Sequence, residues 1–133
     1  MNIGKVIYKL LNSITIAGFD SNNIYPYVVA SDVAFPVIVY VVEGVDPVSA
    51  KNSISRTDIF TINIYIFSKS YDEAVDISDT VRAAIDGIHN STITISEEDF
   101  LIDSIIFKSA KHIFDDAAKV FSIIDNYTIR ARR

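Results

Sequence analysis

The chain has 133 residues, about the length of one folding domain, so residues 1–133 are expected to form a single domain. Half of the residues are apolar, 22% are charged and the net charge is −5, a balance that excludes a disordered chain and predicts a packed, soluble core. The lack of cysteine excludes thiolate metal sites and cysteine nucleophiles, and the acidic balance argues against binding to duplex backbone, which needs clustered Lys and Arg.

Side chains branched at Cβ dominate the apolar residues, with 23 Ile and 13 Val against 3 Leu. Because branching at Cβ favours extended backbone, this excess predicts a sheet-dominated fold. The first helix is predicted over residues 2–13, where apolar residues recur at helical spacing. Lys5 and Lys9 interrupt this run, and no run approaches the ~20 apolar residues of a membrane span, so we expect a cytoplasmic protein without a secretory signal.

Three strands are predicted before the second helix, over residues 24–30, 35–43 and 57–68. The run 37–42 is apolar without a break, which predicts burial on both faces, either by helices or by another subunit. The third strand alternates and is predicted to lie at the centre of the sheet. The residues that it places on one face are Phe60, Ile62, Ile64 and Ile66.

The second helix is predicted over residues 71–86. Ser70 can cap its N-terminus while Glu73 reaches back to complete a capping box, and Gly87 follows where helices often end in the left-handed conformation. The expected buried stripe consists of Ala74, Ile77, Val81, Ala84 and Ile85.

Two or three further strands follow this helix, over residues 92–95, 100–108 and 120–131. Because runs of strands are separated by single helices, antiparallel pairing is the economical arrangement. We therefore predict an α+β fold with a mostly antiparallel sheet and two helices packed on one face, in the order α-β-β-β-α-β-β.

Two connections, residues 44–56 and 109–119, are too long to be plain turns. Long loops in compact domains usually bind something or are disordered, so both are candidate projections, and a mobile surface loop stays open as the alternative to an interaction site. The first could equally extend its flanking strands into a hairpin arm. Exposed apolar residues in long loops mark interaction sites, and the predicted contact residues are Val45, Asp46, Val48 and Ile54 on the first projection and Phe114 on the second.

Motifs that carry chemistry are few. His89 and His112 have no carboxylate at a metal-ligand spacing, the four glycines form no phosphate-binding loop, and no serine lies in a nucleophile elbow. We therefore predict no catalytic, cofactor-binding or metal-ligating residue, and no enzyme activity. Asp103 and Asp125 lie on otherwise apolar strands, where an inward charge demands a partner. The candidate partners are Arg82, Lys108 and Arg130.

Four segments follow one another in a recognisable order: Ile24-Tyr25-Pro26, residues 35–40 (FPVIVY), residues 63–74 (NIYIFSKSYDEA) and residues 81–87 (VRAAIDG). Together they resemble the small tail-completion proteins of long-tailed phages and prophages, also called tail terminators or head–tail joining proteins. The resemblance covers about residues 1–91. Residues 100–133 match only as two long strands around an acidic turn.

The resemblance implies a virion assembly protein with no active site and no cofactor. Such a protein caps the tail tube, ends tube polymerisation and joins the tail to the head–neck, commonly as a hexameric ring. The implied partners are other copies of itself, the tail-tube protein and the head–tail connector protein, without sequence-specific nucleic acid or membrane binding. The implied location is the host cytoplasm during assembly and then the virion tail.

Two other functions stay open from the residues alone. A small-molecule-binding or regulatory α+β module would need polar groups that converge on an apolar wall, and the available residues are Tyr40, Asn63, Tyr65 and Asp125. An enzyme would use Asp103 and Asp125 as an acid–base pair, although nothing in the sequence supplies a nucleophile or a substrate clamp beside them.

Overall fold

The computed structural model describes residues 1–29, 33–48 and 56–132, so the predicted contact residue Ile54 lies outside the described residues. The helices are α1 (Ile3–Asn12) and α2 (Tyr71–Ile85). The strands are β1 (Ile24–Pro26), β2 (Val37–Pro47), β3 (Thr57–Ser68), β4 (His89–Ile95), β5 (Glu98–Asp115) and β6 (Val120–Arg132). The fold is therefore α+β, with one more strand after α2 than the predicted order contains. Within the described ranges, no helix is long and apolar enough to cross a membrane.

The six strands form one sheet in the order β1-β2-β3-β6-β5-β4. β1 pairs parallel with β2, whereas the other neighbouring strands pair antiparallel. The predicted mostly antiparallel sheet is thus corrected to a mixed one. β1 ends at Pro26, directly before Tyr27, which takes a left-handed φ of 61°. β2 runs in the same direction as β1 instead of completing a hairpin with it.

The core cluster includes one face of β3. In β3, Phe60, Ile62, Ile64 and Ile66 are at most 4% exposed, as their alternation predicts. The apolar stripes of both helices belong to the same core cluster. They consist of Ile3, Val6, Ile7 and Leu11 in α1 and of Ala74, Ile77, Val81 and Ile85 in α2. Ala84 is exposed, contrary to prediction; it lies at the edge of this stripe, in the last turn of α2.

The first half of β2 is buried on both faces. Its residues 37–40 are at most 7% exposed, which confirms the double burial predicted from their unbroken apolar run. Val41 and Val42 are half-buried. Residues 37–40 are therefore buried within a single chain, and no second subunit is needed to bury them.

The N-terminus of α2 is capped by Ser70, as predicted. Ser70 Oγ accepts a hydrogen bond from the Glu73 amide at 3.3 Å. The Glu73 carboxylate, however, accepts from Ser68 Oγ at 2.6 Å, and Ser68 Oγ also accepts from the Ser70 amide at 3.1 Å. The buried hydroxyl of Ser68 thus takes over the second half of the predicted capping box and ties the end of β3 to the start of α2.

Ser70→Ala is expected to lower the free energy of unfolding by about 1 kcal/mol, because the Glu73 amide loses its acceptor. Urea denaturation followed by circular dichroism measures this change. Ser109→Ala removes an exposed hydroxyl from β5 and is the matched control, expected to stay within about 0.5 kcal/mol of wild type. Equal losses in the two variants would contradict the capping role.

Candidate interaction surfaces

The first predicted projection begins as a hairpin arm built from the ends of β2 and β3. Val45 and Asp46 continue β2 in register with β3, so the flanking strands extend into it, which is one of its two predicted forms. Val45 is 53% exposed, and Asp46 is exposed as well. Val48 is half-buried, and its amide donates to the carbonyl of the first residue of β3 at 2.9 Å. We name residues 44–48 and 56–60 the arm.

The second predicted projection, residues 109–119, is mostly strand and not a loop. β5 continues through Asp115 and pairs with β6, which corrects the predicted end of this strand at residue 108. A tight turn then follows, in which Asp115 Oδ1 accepts hydrogen bonds from the amides of Ala117 and Ala118 at 3.0 and 3.1 Å. We name residues 113–118 the hairpin tip.

The hairpin tip presents apolar side chains followed by acidic ones. Ile113 and Phe114 are each 45% exposed, and the Phe114 ring lies 4.6 Å from that of Phe121, measured between centroids. Of the two carboxylates in the tip, that of Asp116 lies 2.7 Å from Lys119 Nζ. The predicted contact residue Phe114 is therefore accessible, and it lies near the end of β5, where β5 pairs with β6.

A third surface is an open groove beside α1, with a volume of about 1060 Å³. We name it the α1 groove; it runs between α1, the arm and the end of β4. Its charged side chains are Lys5 and Lys9, and no acidic residue lines it within the described part of the chain. Its exposed apolar and aromatic side chains are Met1, Tyr8, Tyr27 and Val45.

The periodicity of the apolar residues gives no signal for this groove, but one aromatic residue does. Tyr8 lies between Lys5 and Lys9 on the polar side of α1 and is 40% exposed. Its ring lies 6.4 Å from that of Tyr40, measured between centroids, on the wall of the groove. Lys9 Nζ donates to the carbonyl of Thr94 at 2.6 Å and so holds α1 against β4.

The α1 groove and the hairpin tip lie at opposite ends of the sheet. Val45 and Phe60 line the groove and pair with each other near the start of β3. The hairpin tip extends past the other end of β3, because Ser68, the last residue of β3, pairs with Phe121, which in turn pairs with Phe114. One chain therefore presents both surfaces without overlap.

Asp125 is a fully buried carboxyl group on the core face of β6, beneath α2. Its Oδ2 accepts a hydrogen bond from Ser78 Oγ at 2.6 Å, whereas its Oδ1 has no partner. Burial raises the pKa of Asp125, and the nearby charge of Asp79 adds to this; the Ser78 hydrogen bond and the charges of His112 and Arg82 act in the opposite direction. Arg82, one of its predicted partners, thus acts on it through charge.

Asp103 lies on the opposite face of the sheet. Its carboxylate is 2.9 Å from Arg132 Nε and 3.8 Å from Arg130 Nε, so the prediction of Arg130 as a partner is confirmed for this residue. Because side chains alternate along β6, Arg130 and Arg132 point away from Asp125. The acid–base pair that an enzyme would have needed is therefore not formed.

The four polar residues considered for a small-molecule pocket do not converge either. Tyr40 and Asp125 both pair with Ile64 of β3 and share its core face. Asn63 and Tyr65 point to the other face, because β3 alternates. The Asn63 amide is hydrogen-bonded to neighbouring side chains on that face. No three side chains that could ligate a metal lie together within the described ranges.

Tyr127 has a fully buried hydroxyl without a hydrogen-bond partner. Burial, together with the charges of Asp125 and Asp86, raises the pKa of Tyr127, so the hydroxyl stays protonated.

Tyr127→Phe is expected to raise the free energy of unfolding by about 1 kcal/mol, because an unpaired buried hydroxyl costs roughly 1–3 kcal/mol. Tyr71→Phe is the control for urea denaturation, since its hydroxyl bonds to His112 Nδ1 at 3.1 Å and its loss should not stabilise. A less stable Tyr127→Phe variant would refute the expectation.

The chain matches one protein family, and a solved structure has a similar fold. The family described as "Tail completion protein gp17" matches residues 10–132. No curated protein matches the chain. Among solved structures, a chain of the "Virion of native gene transfer agent (GTA) particle" has a TM-score of 0.75 and 17% sequence identity, and the match covers 96% of this chain and 92% of that chain. At this identity, the likeness shows the fold alone.

Proposed function

Because the chain belongs to the tail completion protein family, we propose that it caps the tail tube, ends tube polymerisation and joins the tail to the head–neck. The observation that carries this proposal is the family match over residues 10–132, which spans α2 and all six strands. The fold relative in a gene transfer agent virion supports it, because a virion is where such a protein would act.

The proposed mode of action is assembly rather than catalysis. A ring, with a hexamer expected, needs a head-to-tail contact between two different surfaces of each subunit. The arm and the hairpin tip support this, because Val45 and Phe114 expose 53% and 45% of their surface on two separate projections. The proposed contact residues are Val45, Asp46, Val48 and Phe114, together with Ile54 from outside the described residues.

The proposed partners are further copies of the chain, the tail-tube protein and the head–tail connector protein. The protein would act in the host cytoplasm during assembly and afterwards as part of the virion tail, without binding a membrane or a specific nucleic acid sequence. The net charge of −5 supports the expected lack of nucleic acid binding. Residues 1–133 are proposed to act as one domain, since both helices and the sheet contribute to one core cluster.

Tube assembly tests the proposed function. Tail-tube protein from the same locus is polymerised with and without this protein, and tube lengths are measured by negative-stain electron microscopy. We expect tubes to stop growing and to carry extra density at one end when the protein is present. Tubes that keep growing, with bare ends at saturating protein, would refute the proposal.

A further inference from the structure

The α1 groove has the composition of a protein-binding surface. Met1, Tyr8, Tyr27 and Val45 line it and are between 40% and 59% exposed. Its volume of about 1060 Å³ exceeds most small-ligand pockets, so it has room for several side chains of a chain segment. The charged residues that line it within the described ranges are lysines, so a segment that carries carboxylates is electrostatically complementary to it.

The hairpin tip has this complementary composition. Ile113 and Phe114 supply accessible apolar surface, and two carboxylates follow directly, of which Asp116 is paired with Lys119 and Asp115 holds the turn. The turn is held by the hydrogen bonds to Asp115 Oδ1 and by the contact between the Phe114 and Phe121 rings. Because the tip is already ordered, it loses little conformational entropy on binding.

The positions of the two surfaces indicate which molecule supplies the segment. Both surfaces belong to this chain, but they lie at opposite ends of its sheet, so the tip cannot fold back into its own groove. We propose that the α1 groove binds the hairpin tip of a second copy of this chain, with Lys5 facing the carboxylates of the tip. Each joined pair keeps one open groove and one open tip, so further copies add until the ring closes. This inference rests on the proposed self-assembly.

Disulfide trapping tests this contact directly, because the chain has no cysteine of its own. Asn12→Cys places a thiol at an exposed position of the groove, and Ala117→Cys places one at the exposed turn of the tip. Two cysteines bridge only when their Cα atoms lie within roughly 7 Å, so a bond reports the geometry of the contact. The variants are mixed in equal amounts with purified tail-tube protein and oxidised, and a short thiol crosslinker is used in parallel.

We expect covalent dimers from the mixture and none from either variant alone. A chain that carries both substitutions should give a ladder of higher oligomers. Asp79→Cys, on the exposed side of α2, replaces Asn12→Cys as the control and should give no bond with Ala117→Cys. If the mixture forms no more crosslinked dimer than the control, the inference is wrong. Tube capping by the same samples is measured separately, so the proposed function stands or fails independently.

Charged substitutions give a second test without crosslinking. Tyr8→Asp in the groove and Phe114→Asp at the tip each replace an exposed ring, and circular dichroism checks their folding. Each variant alone should associate at least about tenfold more weakly than wild type, because a few large side chains such as aromatic rings contribute most of the binding free energy of an interface. An equal mixture retains one intact groove and one intact tip, so it should form dimers and stop there. Rings from either variant alone would overturn the inference.

Discussion

Asp125→Asn is expected to be more stable than wild type at neutral pH, by on the order of 1 kcal/mol. The wild-type carboxyl group is fully buried, and only one of its two oxygens is hydrogen-bonded, to Ser78. An ionised carboxylate is costly in this position, whereas an amide can still accept the Ser78 hydrogen bond and leaves an uncharged NH2 group, instead of a charged oxygen, without a partner. Urea denaturation of both proteins across a pH series measures the difference.

The pH dependence has a definite sign. Burial raises the pKa of Asp125 in the folded state above its unfolded value, so the folded protein binds this proton more tightly. The stability that this proton contributes is complete below the unfolded pKa of about 3.9 and is lost as the pH rises through the folded pKa. The advantage of Asp125→Asn should therefore grow over this interval as the pH rises and then level off.

Asp103→Asn is the matched control for this experiment. It removes a carboxylate that pairs with Arg130 and Arg132 on the other face of the sheet, so it should reduce stability slightly at neutral pH. Partly exposed pairs of this kind contribute about 0–1 kcal/mol. A variant Asp125→Asn that loses stability at neutral pH, as the control does, would show that the buried charge is well solvated or paired.

A chain that carries Asp46→Lys and Val48→Asp is expected to lose tube capping at least about tenfold in half-effective concentration. Both residues lie on the arm but do not line the α1 groove, so the double variant tests the arm alone. A new carboxylate at Val48 would have to be desolvated in any contact, and the reversed charge at Asp46 would disturb the electrostatic match. Tube lengths in the electron microscope measure the effect.

Val28→Asp controls for added surface charge, because Val28 is 78% exposed and lies outside the arm. This variant should cap tubes as wild type does. Thermal denaturation of both variants separates a loss of contact from a loss of fold, which matters because Val48 is half-buried. Normal capping by a folded double variant would remove the arm from the proposed interface.

The elements that local signals define are well predicted from the sequence. α2 begins at Tyr71 because Ser70 caps it, and β3 spans the predicted residues 57–68 because its apolar positions alternate. Elements whose bounds depend on distant partners are not. β1 ends at Pro26, directly before the left-handed backbone of Tyr27, and the second half of β5 becomes strand because β6 pairs with it.

The candidate surfaces follow the same division. Phe114 is identifiable as an exposed apolar residue in a segment of unusual length, whatever the conformation of that segment. The α1 groove is not identifiable in this way, because α1, β2 and β4 form it together and lie far apart in the sequence. Tyr8, an aromatic residue between Lys5 and Lys9, is its one local sign.

The place of β6 in the sheet determines when the protein can fold. β6 follows every other strand along the chain, yet it lies between β3 and β5, and Thr57 pairs with Arg132. On the ribosome, the sheet therefore stays in two separate parts until β6 has been synthesised. Pairings between such distant residues also slow folding, because a long loop must close before they form. The hairpin tip needs β6 as well, so a nascent chain cannot enter assembly before its sheet is complete.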